Sequence, residues 1–471
     1  MTMRLYNTMS RTEEAFTPGP DNTVRMYTCG LTVYARGHIG NFRSFVCADV
    51  LRRSLRYIMG YQVRQVMNFT DVDDRTIIGA RQAGMDLRSY TTQFVDMFLA
   101  DAKALGLETV EEMPRATDPE NLQAMADLIA RLAAKGHTYI SDGSVYFKIN
   151  TMPEYGKLAH LDHEGMKSGA RIDSDNYAKD DARDFVLWKA TKPDEPTWNV
   201  VDPPGRPGWH LECSAMAMRL LGESIDIHTG GIDLIFPHHE NEIAQSECAT
   251  GKQFVRFWFH VEYLQVEDQK MSKSLGNTYT VPDVVAKGFR PSAIRFLLLS
   301  THYRKQQNFT WASLSQAEEA MRRLTDFIAR LDTVRTPGAH AEISERLALA
   351  EKEFRDAICS DLNTAGALGA LFELVRALNS AIDAGQLGVD DVLAVRKTFD
   401  GFDQVLGVLS LRRAEDEQPP VPAEEIEQLI EARHAARRRR DFAEADRIRQ
   451  DLASRGVLLE DSASGTRWKR K

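Results

Sequence analysis

Five short segments of this 471-residue chain carry residue types suited to chemistry: Tyr27-Thr-Cys29-Gly30, His38-Ile-Gly40-Asn41, Gly205-Arg-Pro-Gly-Trp209-His210-Leu-Glu-Cys213, Phe236-Pro-His238-His239-Glu240-Asn241-Glu242 and Lys270-Met-Ser-Lys273-Ser274. The first, third and fourth offer thiols, imidazoles and carboxylates, the ligands taken by a borderline cation such as zinc. The second and fifth combine glycine, histidine and lysine in patterns suited to a triphosphate. Together they predict a nucleotide-using zinc enzyme.

His238 and Glu242 stand four residues apart in a segment that starts after Pro237, so they project from one helix face. Cys29, at the end of a strand-like run, and Cys213, after a glycine-proline loop, could complete four-coordination with them. The same i, i+4 spacing also arises from a plain surface contact, and the close Cys-x-x-Cys pattern of many zinc sites is absent. Spacing alone leaves both readings open. Cys248 falls about 240° round the helix from Glu242, off the ligand face. Cys47 and Cys359 lie among apolar helical residues and read as core thiols.

His38-Ile-Gly40-Asn41 falls where a loop enters a helix, a place whose open N–H groups and positive dipole end suit a phosphate. Gly37 and Gly40 let a nucleotide approach the backbone, and His38 can donate a ring N–H. A solvated loop histidine is the plain alternative. Lys270-Met-Ser-Lys273-Ser274-Leu-Gly276-Asn277 shifts the balance: lysines at i and i+3 among hydroxyls and glycine form a cationic loop able to stabilise departing pyrophosphate.

Composition sets the frame. A net charge of −9 argues against a protein that coats nucleic acid, yet Glu424 to Lys471 holds 12 Lys and Arg against 10 Asp and Glu, so the sign reverses near the C-terminal end. Five cysteines, an odd and scattered set, read as thiols or ligands in a reducing compartment. The N-terminus lacks a signal pattern and no apolar run reaches membrane-helix length, which predicts a cytoplasmic protein with no membrane partner.

The elements that must position these residues are legible as periodicity. Val24-Arg-Met-Tyr-Thr reads as a strand stopping at Cys29-Gly30, a helix starts near His38 and runs through Val46, Val50, Leu51 and Leu55, and Val63 to Phe69 reads as a second strand. That order predicts a right-handed crossover in an α/β, doubly wound parallel, Rossmann-like nucleotide-binding domain. Its halves are expected at 1–120 and 208–264, around an inserted domain at 121–207 rich in Asp, Gly and Pro. Residues 265–312 hold the lysine loop. A helical bundle is expected over 313–414, with Leu347, Ala350, Phe354 and Leu368, Leu371, Val375, Leu378 at helical spacing and a loop at Pro337. Glu415 to Pro422, charged and proline-rich, cannot continue a helix and predicts a linker at 415–423 before a tail at 424–471.

As a set, the segments resemble the class I aminoacyl-tRNA synthetases and in detail the cysteinyl-tRNA synthetase family. The likeness is carried by Met26 to Tyr34, Asn68-Phe-Thr70-Asp71-Val-Asp73-Asp74, Asp184-Phe-Val-Leu-Trp188-Lys189, Gly205 to Met216, Gly230 to Glu242, the two nucleotide signatures, and, in the tail, Ala445 to Arg449 and Asp461 to Trp468. Asn41, Leu31, Ala35 and Arg75 depart from the residues common in the family at their positions.

What the resemblance implies is one zinc ion per chain held by Cys29, Cys213, His238 and Glu242, and an amino-acid pocket lined by Cys29, Gly30, Thr70, Trp209 and His238. It also implies Gly40, Asp233 and Lys273 on ATP with Mg2+, and His38, Asn41, Lys270 and Lys273 as the catalytic set. The partners would be L-cysteine, ATP and tRNA(Cys), served by a monomer whose residues 265–312 meet the acceptor stem and whose tail is a small anticodon-binding domain. Arg433, Arg437 to Arg440, Arg447 and Arg449, with Trp468, would contact RNA there. Zinc would separate cysteine from serine, which an apolar pocket cannot do by more than a few kcal/mol. Two other readings share part of the pattern: a shorter ligase that joins cysteine to glucosaminyl-inositol in mycothiol synthesis, and a non-catalytic RNA-binding paralogue. The tail favours tRNA, and the intact ligands and lysines favour an active enzyme.

Overall fold

The computed structural model describes residues 2–161, 184–271, 275–417, 421–462 and 465–470. Four runs rich in β-branched and aromatic residues form its central sheet: β1 (Thr23–Thr28), β2 (Gln62–Met67), β3 (Ile225–Gly231) and β4 (Val255–Val261). Their spatial order is β4-β3-β1-β2 and every neighbouring pair is parallel. Chain order therefore reverses between β1 and β3, which leaves a crevice at the carboxyl ends of these strands, where ligands bind in open α/β sheets.

Helix α1 (Ile39–Arg53) links β1 to β2 and is buried on nearly every side, by Ile39, Phe42, Phe45, Val46, Val50 and Leu51 among others. It packs against the sheet on one side and the helices that follow on the other, so even its polar residues need internal partners. Arg43 shows how that is met: its guanidinium donates to the carbonyls of Glu262 and Tyr263 at 2.8 and 2.6 Å and of His302 and Lys305 at 3.3 and 2.5 Å.

Between β2 and β3 the chain forms helices and an antiparallel sheet of Thr138–Ser141, Ser144–Phe147, Phe185–Ala190 and Gly205–Pro207. Helix α2 (Trp209–Leu221) leads from it to β3, and helix α3 (Glu240–Thr250) joins β3 to β4. A small sheet of Leu264–Val266, Gln269–Lys270 and Gln307–Phe309 carries Lys270.

The bundle comprises Trp311–Arg330, Ala341–Cys359, Thr364–Asp383, Val392–Leu406 and Leu409–Glu417. Leu347, Phe354, Leu368, Leu371, Val375 and Leu378 are buried in one core continuous with that of α1. Thr364–Asp383 has the length and composition of a membrane span, but its apolar face is this core. Cys47 and Cys359 are buried thiols, as their apolar neighbours predict.

Two expectations are corrected here. The helix Leu409–Glu417 runs three residues into the segment read as a linker. Its acids are docked: Ser292 donates to Glu415 from its backbone N–H at 2.8 Å and its hydroxyl at 2.7 Å, and Arg290 pairs with Asp416. In the tail, helices Ala423–Arg438 and Phe442–Ser454 pack with the hairpin Val457–Ser462 and Gly465–Arg470 over a core of Val421, Ile426, Ile430, Ile448, Leu452, Val457 and Leu459. Arg433, expected to meet RNA, is fully buried and donates to both carboxylate oxygens of Asp461 at 2.9 and 2.8 Å, while Arg437 to Arg440 and Arg449 stay exposed.

One ion pair ties the sheet to the bundle. Buried Arg295 donates to Asp49 of α1 at 2.5 Å and to the Leu406 carbonyl at 2.7 Å, and Asp49 also accepts from Arg53 and the Glu108 N–H, both at 2.8 Å. Burial pushes the Asp49 carboxyl up, but Arg295 and Arg53 outweigh it and hold it below its ordinary value. Asp49→Asn is expected to destabilise this block by about 3–5 kcal/mol, because it strands a buried guanidinium. In the native protein the contribution is complete above the unfolded carboxylate pKa, about 3.9, and fades as pH falls through the lower folded value. Denaturant titrations of both proteins between pH 7 and pH 3 measure the two effects.

Candidate active site

β1 ends beside β2 at an unusually close approach. A Cβ at Gly30 would stand 1.6 Å from the Asn68 carbonyl oxygen, so only glycine fits, and the Gly30 N–H donates to Asn68 Oδ1 at 3.0 Å. The preceding Cys29 is thereby set into the crevice, its Sγ 3.6 Å from that of Cys213 in α2. From the segment entering α3, His238 Nε2 and Glu242 Oε1 come within 3.0 Å of each other and 3.5 and 3.6 Å of Cys29 Sγ. All four side chains are buried.

These distances suit a single cation. Tetrahedral zinc with bonds of about 2.0–2.3 Å separates its ligand atoms by roughly 3.3–3.8 Å, and three of the spacings fall there while His238 and Glu242 sit slightly closer. Electrostatics fits as well. Burial raises Glu242 and Cys213, but His228 and His238 bring Glu242 down to about 2, and hydrogen bonds from Cys29 and His238 to Cys213 bring that thiol down to about 6. Burial lowers His238, yet Cys213 and Glu242 push it up to about 10. Burial and the neighbouring Cys213 hold the Cys29 thiol well above its ordinary value. Anionic sulfur and carboxylate thus sit against two protons that a divalent ion would displace.

Around these four lies a histidine network that the sequence reading did not assign. Glu242 Oε2 is 3.0 Å from His228 Nε2, and His238 Nδ1 is 3.0 Å from His210 Nδ1. His239 reaches Cys29 Sγ at 3.5 Å and His260 at 2.7 Å, and His260 reaches Thr8 Oγ1 at 2.7 Å. Cys29, His228, His239 and Glu242 make a second, overlapping group of potential ligands. The available signal was a histidine within each of two apolar strands, β3 and β4. Such outer partners fix ring orientation and tautomer. Trp209 lies on the His238 ring at 4.4 Å, stacked within 26°.

The nucleotide signatures meet at the start of α1. His38 is its N-cap: its Nδ1 accepts from the Asn41 N–H at 3.2 Å, and its own N–H donates to Asn41 Oδ1 at 3.0 Å. With Nδ1 accepting, a neutral ring carries its proton on Nε2. A Cβ at Gly40 would meet the His38 ring at 3.0 Å and Met271 Sδ at 3.3 Å, so the second signature rests on the first. Lys270 is exposed, its Nζ 5.7 Å from the Tyr263 ring centroid. Lys273 lies outside the described residues. Asp233 is exposed on the turn that follows β3. Thr70 is buried and donates to Glu212 Oε2 at 2.8 Å.

Residues 15–319 match the model of the class I (C) tRNA synthetase catalytic domain, 353–410 that of the DALR domain, and 420–468 that of the cysteinyl-tRNA ligase anticodon binding domain. The chain is 52% identical to the cysteine–tRNA ligase of Solibacter usitatus over 472 residues and 45% identical to that of Koribacter versatilis over 501 residues, each alignment covering 100% of both chains. Among solved structures it is similar in fold to Mycobacterium tuberculosis methionyl-tRNA synthetase in complex with methionyl-adenylate, with a TM-score of 0.59 at 16% identity over 82% of this chain and 88% of that one.

Metal-free protein is expected to take up one divalent ion per chain. Cys213→Ser should abolish stoichiometric uptake, and His228→Ala, which removes an outer partner, should weaken it about 10- to 100-fold. Competition with a chromogenic chelator measures both.

Proposed function

This chain belongs to the cysteine–tRNA ligase family of class I aminoacyl-tRNA synthetases, and from that premise we propose that it activates L-cysteine with ATP and transfers it to tRNA(Cys), with zinc as the selector of the substrate. Bound by Cys29, Cys213, His238 and Glu242, zinc would supply a thiophilic Lewis acid that favours the substrate's thiolate over an alcohol. The single observation that carries this reading is the convergence of those four buried side chains on a space sized for one cation.

The chain's own residues do the rest. Trp209, stacked on His238, walls the pocket and keeps water from the sulfur. The His38 Nε2–H and the N-terminus of α1 receive the triphosphate, and Asp233 takes the ribose. The substrate carboxylate attacks the α-phosphorus in line, displacing pyrophosphate, and no side chain is needed to remove a proton. Lys270 and Lys273 stabilise charge on the leaving group, which arrives with Mg2+. The terminal ribose hydroxyl of tRNA then attacks the acyl carbon of the adenylate, forming the ester and releasing AMP.

Residues 265–312 meet the acceptor stem, and the exposed arginines at 437–440 and 449 serve the anticodon end. The tail match at 420–468 favours tRNA over an amino-sugar acceptor. The protein acts as a cytoplasmic monomer.

Purified zinc-loaded protein with ATP and labelled amino acid is expected to charge tRNA with cysteine and to leave serine uncharged. Equal charging of the two, or an absence of cysteine-dependent exchange of pyrophosphate into ATP, would overturn the proposal. Lys270→Ala is expected to slow the exchange by about 100- to 1,000-fold through kcat, as loss of a transition-state donor does.

A further inference from the structure

Helix α2 presents Trp209, Glu212 and Cys213 at i, i+3 and i+4, hence on one face, and two of the three belong to the pocket described above. Glu212 has no part in that account. It is completely buried, and one carboxylate oxygen, Oε2, accepts the Thr70 hydroxyl at 2.8 Å. The other, Oε1, is buried with no hydrogen-bond partner among the described residues, and no Lys, Arg or His among them pairs with the carboxylate. A carboxylate left half-satisfied in a buried site is costly, and such a site calls for a donor from outside the chain, a water or a ligand.

The neighbours make the floor an acceptor surface. Thr70 spends its hydroxyl proton on Glu212, so what it offers elsewhere is lone pairs, one of them facing Asn68 Nδ2 at 3.5 Å. Asn68 Oδ1 takes the Gly30 N–H at 3.0 Å and lies 3.8 Å from Cys213 Sγ. The row Glu212, Thr70, Asn68 thus runs directly into the four side chains that suit a metal.

We propose that Glu212 is the acidic anchor for the α-ammonium group of the amino-acid substrate, through its unpartnered Oε1 and through the Thr70 hydroxyl that it orients. The assignment rests on the proposed function. An amino acid held by its β-thiol carries its ammonium two carbons away, beside the ligands that hold the sulfur, and that is where these acceptors stand. Three N–H donors of an ammonium match Oε1 and the Thr70 oxygen as acceptors.

The test compares L-cysteine with 3-mercaptopropionate, which keeps the thiol and carboxylate and lacks the amine. Calorimetry on zinc-loaded wild type, Glu212→Gln and Thr70→Val gives the affinity of each, with metal content measured alongside. Glu212→Gln is expected to weaken cysteine about 10- to 100-fold, the worth of a charge-assisted hydrogen bond, while the affinity for 3-mercaptopropionate changes less than about twofold. Thr70→Val should weaken cysteine in the same selective way. Equal weakening of both ligands, loss of zinc, or unchanged cysteine affinity in Glu212→Gln overturns the assignment. Pyrophosphate exchange by the wild type reports separately on the function beneath it: ligand binding that discriminates by the amine, without exchange, would sink that function and leave the anchor standing.

Discussion

The constraint on which everything else depends is the burial of anionic sulfur and carboxylate beside imidazole. Each such group alone would cost several kcal/mol to desolvate, so Cys29, Cys213, His238 and Glu242 are tolerable only within contact of one another. They come from a strand end, a helix and a helix entry that together span more than 200 residues of chain. Close approach at Gly30, the docking of α2 on the sheet and the turn into α3 are the structural terms on which that contact exists.

Much of this was legible as pattern. Alternating apolar residues located β1 and β2, the three-to-four spacing located the bundle core, and His38 fell at a helix start as its neighbours demand. What stayed hidden depends on register or on partners distant in sequence. His228 and His260 sit within apolar strands, and nothing local reveals that one will face Glu242 and the other His239. The acids at Glu415 and Asp416 read as solvated linker because Ser292 and Arg290, which dock them, lie over 120 residues away. Arg433 read as an RNA contact for the same reason: its partner, Asp461, arrives from the hairpin.

Helix α1 emerges as the member to which the parts are fastened. Its first turn carries the His38 cap and Gly40, Arg43 holds the backbone just before the strands Leu264–Val266 and Gln307–Phe309, and Asp49 joins it through Arg295 to the end of Val392–Leu406. A largely buried helix of this kind pairs its polar groups internally, and here the pairing is also the link between the His38 turn and the bundle.

The cap of that helix has a chemical corollary. Because His38 Nδ1 is occupied by the Asn41 N–H, folding itself selects the tautomer of the neutral imidazole. With Nδ1 spent on the cap, the neutral ring keeps its proton on Nε2. The turn that starts the helix thereby makes this imidazole's outer nitrogen a donor and not a base.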